Sequence, residues 1–173
     1  LVGSEMCIRD SQYTDCPLYW ISVIYLNFAE AKAEMGSLTQ DDLNNSINKL
    51  QARAGLPAMT TTPDADPANN MGVSNLIWEI RRCRRCELIM DNWYRYWDLI
   101  RWHQLDKLDS TKYPNTMLGA NVSNVPDCEE ATKNGYIDAS DAQIRTYEAK
   151  HYFYPIPTTQ LTLNKNMKQN PGW

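Results

Sequence analysis

Apolar positions fall into four blocks along this chain, each with the spacing of a helix. In the first, Leu18, Trp20, Ile21, Val23, Ile24, Tyr25, Leu26 and Phe28 follow so closely that nearly every side is apolar. A helix of that kind is buried from several directions. Asp15 can cap it, Pro17 suits its first turn and Gly36 is a natural stop, so the pattern predicts a helix over about 17–35. In the second block Leu43, Ile47, Leu50 and Ala54 recur at helical intervals. It opens on Thr39 and Asp42, the outline of a capping box, and closes on Gly55. Only Gly36 to Thr39 separate the two blocks, so they are expected to fold back as a hairpin about as long as a tetratricopeptide unit.

The third block starts after Ser74, a good cap, and runs to about Asp91. Leu76, Ile80, Cys83, Cys86 and Met90 form its apolar face, and Arg81, Arg82 and Arg85 are expected on the solvent side. The fourth, Tyr94 to Leu108, is dense in aromatics. Residues 56–72, with three prolines and a glycine, and residues 109–134, with little periodicity, read as long loops. Tyr136 to Asp138 and His151 to Tyr154 are the short strand candidates, the latter ended by Pro155 and Pro157. The expected fold is mainly α: a tetratricopeptide-like helical hairpin, two further helices, long loops and a minor short β pairing.

Charge and composition narrow the function. With 17 Lys+Arg against 21 Asp+Glu the net charge is -4, so the chain lacks the cationic excess of a nucleic-acid binder. Leu, Ile, Val and Phe make up only about a fifth of the residues, but six Trp and ten Tyr supply an aromatic core. No apolar run reaches the roughly 18 residues of a membrane-spanning helix. Five scattered cysteines define no disulfide framework. Residues 1–12 read as a non-native or disordered leader, and 13–173 as the C-terminal part of a longer domain.

Several groups could carry chemistry. Cys83-Arg-Arg-Cys86 has the spacing of a redox or zinc motif, but it sits in mid-helix without an evident set of further ligands, so two packed cysteines are expected. No metal or other cofactor is expected. Glu87 projects toward the apolar side of its helix, where a carboxylate needs a partner. Arg84 is the expected ion-pair partner, with Arg95 or Arg101 as alternatives. Glu87 and Asp91, four apart, could in principle flank a glycosidic bond, yet nothing else marks a cleft and no catalytic residue is assigned. Trp93, Tyr113 and Tyr136 are the rings most free to stack on a sugar, most other rings of the fourth block being expected in the core.

Three segments together resemble the SusD/RagB family. Phe28 to Gly36 with Ser46 to Pro57 is similar to that family's helical hairpin. Ile80 to Leu88 with Tyr96 to Trp102 is similar to its Arg-rich helix and Trp-Asp-Leu-x-Arg-Trp continuation. Tyr154-Pro-Ile-Pro157, closing with Asn164 and Gln169 to Trp173, is similar to its C-terminal ending. Cys83 replaces an expected Glu, and Asp91 to Arg95 is one residue longer than the common form. The resemblance covers about residues 13–173 and implies the C-terminal part of a non-catalytic outer-membrane lipoprotein. Such a protein captures an oligosaccharide or polysaccharide at the cell surface for a TonB-dependent, SusC-like transporter, and meets the membrane only through a lipid anchor outside this chain. None of the family's glycan contacts lies in the matched motifs. The competing expectation is a helical-repeat module that binds protein and no sugar.

Overall fold

A computed structural model describes residues 19–89, 94–125, 132–138 and 143–173. The chain is mainly helical and divides into two compact units, residues 1–92 and 93–173.

In the first unit, α1 spans Ile21–Glu34, and Asp15 and Pro17 lie outside the described residues. Gly36 ends it as expected. At φ +67° it lets Gly36 N–H reach the Ala33 carbonyl at 3.0 Å and Ser37 N–H reach that of Lys32 at 3.0 Å, a Schellman ending. Thr39 and Asp42 form the capping box: Asp42 N–H donates to Thr39 Oγ1 at 3.2 Å and Thr39 N–H to Asp42 Oδ2 at 2.9 Å. The single helix expected over 39–54 is in fact two, α2 (Gln40–Asn44) and α3 (Ile47–Arg53). Asn45 and Ser46 account for the break, because their side chains donate to the carbonyls of Asp41 and Asp42 at 3.0 and 2.6 Å. Such local bonds compete with the regular ladder. A second Schellman ending, at Gly55 with φ +69°, closes α3.

The loop after α3 is irregular yet anchored. Asn48 is buried and grips Met59 from both sides, its amide donating to Met59 O at 3.1 Å and its Oδ1 accepting Met59 N–H at 2.7 Å. Ser74 then caps α4 (Asn75–Glu87), accepting the Ile77 N–H at 3.3 Å. Leu26, Ala29, Leu43, Ile47, Leu50, Met59 and Ile80 form the core of this unit, with α1 packed on both α3 and α4.

Two expectations about these helices are corrected. The burial from several directions expected of α1 is not found: Ile21, Ile24 and Phe28 are exposed. The buried face of α4 is also rotated from the expected apolar stripe, running through Ile80, Arg84 and Leu88. Cys83 is half-buried and Cys86 exposed, while Arg81, assigned to solvent by the pattern, has a side chain only 10% exposed. The physical reason is on α1. Arg81 Nε pairs with Glu30 Oε1 at 3.1 Å and its Nη2 with Glu34 Oε1 at 3.1 Å, while Arg84 Nη1 donates to Asn27 Oδ1 at 2.8 Å. Buried guanidinium groups are tolerated only when paired.

In the second unit α5 covers Tyr94–Arg101 and stops short of the expected Leu108. His103, at φ +53°, takes the position a glycine usually fills in a Schellman ending: its N–H meets Ile100 O at 3.1 Å, and Gln104 N–H meets Leu99 O at 2.7 Å. A 3₁₀ turn, Leu105–Leu108, follows. The segment expected to be loop contains two strands of a small antiparallel sheet, β1 (Leu118–Asn121) and β2 (Thr132–Lys133), with β3 (Tyr136–Asp138) between them. Asn134 and Gly135, both at positive φ (+55° and +81°), make the tight turn from β2 to β3. His151 to Tyr154 is no strand. Ala149–Tyr152 winds into a 3₁₀ turn, and Pro155 and Pro157 lack the N–H groups a ladder needs. A short helix, α6 (Thr158–Leu163), lies near the C-terminus. No helix among the described residues is long and apolar enough to cross a membrane.

Candidate functional site

Within the second unit an open cleft of about 360 Å³ is walled largely by rings. Tyr96 comes from α5 and Leu105 and Leu108 from the 3₁₀ turn behind it. Arg145 to Tyr147 form one side, His151 with Phe153 to Pro155 another, and Trp173 closes the set. These residues are irregular in backbone, so side chains have to hold them.

Each wall is tied to the backbone of its neighbours. Ser110 N–H donates to Arg145 O at 2.9 Å, and Arg145 N–H returns to Ser110 Oγ at 3.0 Å. Asp109 is buried, accepting Thr111 N–H at 2.9 Å on Oδ1 and Tyr147 N–H at 3.1 Å on Oδ2. Those bonds, the Thr111 hydroxyl first among them, hold its carboxyl down to about 2. Gln169 acts as a substitute strand, accepting Ile156 N–H at 2.8 Å and donating to Ile156 O at 2.9 Å; Asn170 Nδ2 donates to Tyr154 O at 2.6 Å. The Trp173 indole N–H is shared between the carbonyls of Phe153 at 2.9 Å and Lys150 at 3.2 Å.

The rings interlock. Tyr147 meets His151 and Tyr152 edge-on, with centroids 6.3 and 5.8 Å apart, and His151 lies 6.0 Å from Trp173. The Tyr96 and Tyr154 hydroxyls are 3.3 Å apart, and that contact, with burial, raises the Tyr96 pKa. Burial, aided by a bond to Tyr152, pushes the Tyr147 hydroxyl up to about 12. Both therefore stay protonated at neutral pH and can donate as well as accept. His151 Nδ1 accepts Glu148 N–H at 3.0 Å, which assigns the ring proton to Nε2. The result is an apolar stacking surface edged with hydroxyl and imidazole groups, the general make-up of a small-ligand site.

No carboxylate lines this cleft. The paired acidic side chains that flank a glycosidic bond are not among its described lining residues. A polar hollow of about 560 Å³ in the first unit, between α3 and the loop after it, holds Asp64 and the ion pair of Glu79 with Arg82. Among the described residues no group of His, Cys, Asp and Glu could hold a metal ion.

The residues singled out in the sequence are not gathered here. Trp93 and Asp91 lie outside the described residues. Tyr113 is engaged elsewhere, its hydroxyl accepting Lys107 Nζ at 2.8 Å and its ring 4.6 Å from the same ammonium. Tyr136 is half-buried in β3, and neither it nor Tyr113 lines the cleft. Glu87 is held by an arginine, but by Arg53 of α3 and not by Arg84, Arg95 or Arg101: Arg53 Nη2 lies 2.6 Å from both of its oxygens. Arg84 turns away from Glu87 toward α1. Burial, and then the nearby Glu87 charge, push the Cys83 thiol up to about 11, which keeps it in the thiol form at neutral pH. The cleft itself went unseen in the sequence because its walls come from segments as far apart as Tyr96 and Trp173. The Tyr154-Pro-Ile-Pro157 run, which allows no ladder, is the one local sign of it.

The SusD family model matches residues 9–173, so the chain belongs to the SusD family. Among solved structures it is similar to a SusD-like protein from Bacteroides fragilis, with 24% sequence identity and a TM-score of 0.59. That likeness covers 88% of this chain and 25% of the other, so the chain spans about a quarter of the length of that protein. No curated protein matches it.

Proposed function

We propose that this SusD-family chain takes part in the non-catalytic capture of an oligosaccharide or polysaccharide, as part of a longer outer-membrane lipoprotein serving a TonB-dependent, SusC-like transporter. The family match over residues 9–173 carries this reading. The ring-walled cleft supports it, since flat apolar sugar faces stack on aromatic rings while hydroxyls meet the Tyr96, Tyr154 and His151 groups. Its carboxylate-free lining fits capture without hydrolysis.

One observation favours the second reading, a helical module that docks protein. The exposed Ile21, Ile24 and Phe28 of α1, with Tyr19 just before it, offer an apolar surface for such contact. Calorimetric titration of the chain with a panel of oligosaccharides, after a cooperative thermal melt, separates the two. Saturable heat that disappears in both Tyr154→Ala and Trp173→Ala supports capture in the cleft. Heat that survives those changes and disappears in Trp93→Ala, Tyr113→Ala or Tyr136→Ala moves the site to that ring. A folded chain with no heat for any sugar sinks the capture reading for these residues.

A further inference from the structure

The cleft differs in charge from the chain that builds it. Acidic residues outnumber basic ones, 21 to 17, over the whole chain, yet none of the eleven lining residues is acidic and one, Arg145, is permanently cationic. Two nearby acids are already engaged, while Asp106, between Leu105 and Leu108, stands close enough for its charge to add to the burial that raises the Tyr147 pKa. Asp109, behind the Tyr147 wall, spends both oxygens on Thr111 and Tyr147, and Glu148 pairs with Lys150 at 3.1 Å. Lys150 in turn lies 5.3 Å over the Trp173 ring. Arg145 is different. Ser110 fixes its backbone on both sides, while its exposed side chain has no acidic partner among the described residues. A held backbone carrying an uncommitted guanidinium beside a ring-lined hollow lowers the cost of pairing with an incoming anion. His151, its Nδ1 taken by the Glu148 N–H, adds a donor at Nε2 to the same cleft.

We propose that the cleft takes an acidic saccharide, a uronic-acid pyranose whose ring stacks on the aromatic walls and whose carboxylate pairs with Arg145. The planar fork of a guanidinium matches a carboxylate through two parallel hydrogen bonds, which a neutral hydroxymethyl group cannot offer. This assignment rests on the capture reading above and adds the class of sugar to it.

The test compares two trisaccharides of the same ring stereochemistry and linkage, one of galacturonic acid and one of galactose, by calorimetry at low salt. The uronate is expected to bind about tenfold more tightly, the scale of one charge-assisted pair at an exposed rim. Arg145→Gln should bring the uronate down to the level of the neutral sugar, and added salt should narrow the preference in the unaltered chain. Tyr154→Ala should weaken both sugars. Equal binding of the two sugars, or a preference that survives Arg145→Gln, overturns the acidic assignment and leaves sugar capture standing. Failure of the folded chain to bind either sugar overturns both.

Discussion

In the first unit helices meet across polar side chains, whereas in the second side chains reach for backbone. Arg81 and Arg84 of α4 are directed at Glu30, Glu34 and Asn27 of α1, with Arg84 only 5% exposed and Glu30 only 2%. Regular helices satisfy their own amides, so their side chains are free to pair with each other. Around the cleft the backbone is irregular and its amides need outside partners, which Asp109, Ser110, Gln169 and Asn170 supply. The kind of backbone thus decides how polar residues are used. A binding cleft results where they serve as scaffold and leave the rings unblocked.

Breaking a pair in the first unit should have the largest effect. Arg81→Ala removes the guanidinium that pairs with the buried Glu30, and a loss of about 1.5–3 kcal/mol in chemical unfolding is expected, the scale of a hydrogen bond to a charged group. A loss below about 1 kcal/mol would mean the seam contributes little beyond its packing.

Acid should sharpen the comparison, since each unit holds a carboxyl depressed to about 2 in a structural role. Asp42, with Thr39 its main partner and Lys32 assisting, and Asp109, with Thr111 first, are both held at about 2, against an ordinary 3.8. A carboxyl lowered on folding contributes stability that is fully present above pH 3.8 and is lost as pH falls toward 2. Amide exchange measured down that range should show Thr39 opening in the first unit and Tyr147 in the second. Protection of Tyr147 N–H unchanged at pH 2 would show that Asp109 is not its anchor.

Arg82→Ala should have the smallest effect. Its pair with Glu79 sits one turn along the same helix at the surface, with the Arg82 side chain 54% exposed, and less than about 0.5 kcal/mol is expected. An equal loss in Arg81→Ala and Arg82→Ala would erase the distinction between seam and surface.

Local signals in the sequence are realised closely: Gly36 and Gly55 end helices, Thr39 with Asp42 forms its box, and Ser74 caps. What the apolar pattern misjudged depended on a second element. Cysteine scores as core and arginine as solvent until α1 presents Glu30 and Glu34, one turn apart, to Arg81. The break at Ser46 was legible in its Asn-Ser pair, overshadowed by the longer periodicity around it, and the β2–β3 turn in Asn134-Gly135, at the end of a stretch with little periodicity. The cleft had no such local signature, because its spacing exists only after Gln169, Asp109 and Trp173 have been brought to distant backbone groups.

The buried positions of α1 and α4 share one further property. Ser22, Leu26 and Glu30 step by four along α1, as Ile80, Arg84 and Leu88 do along α4. Residues four apart form a ridge that winds slowly around a helix instead of running straight along it. Two such ridges interdigitate when their axes cross at about 50° in magnitude, not when they lie side by side. Arg84 on that ridge and Arg81 beside it reach Asn27, Glu30 and Glu34 of α1, so polar pairing can set which turns of the two helices face each other as well as how strongly they hold.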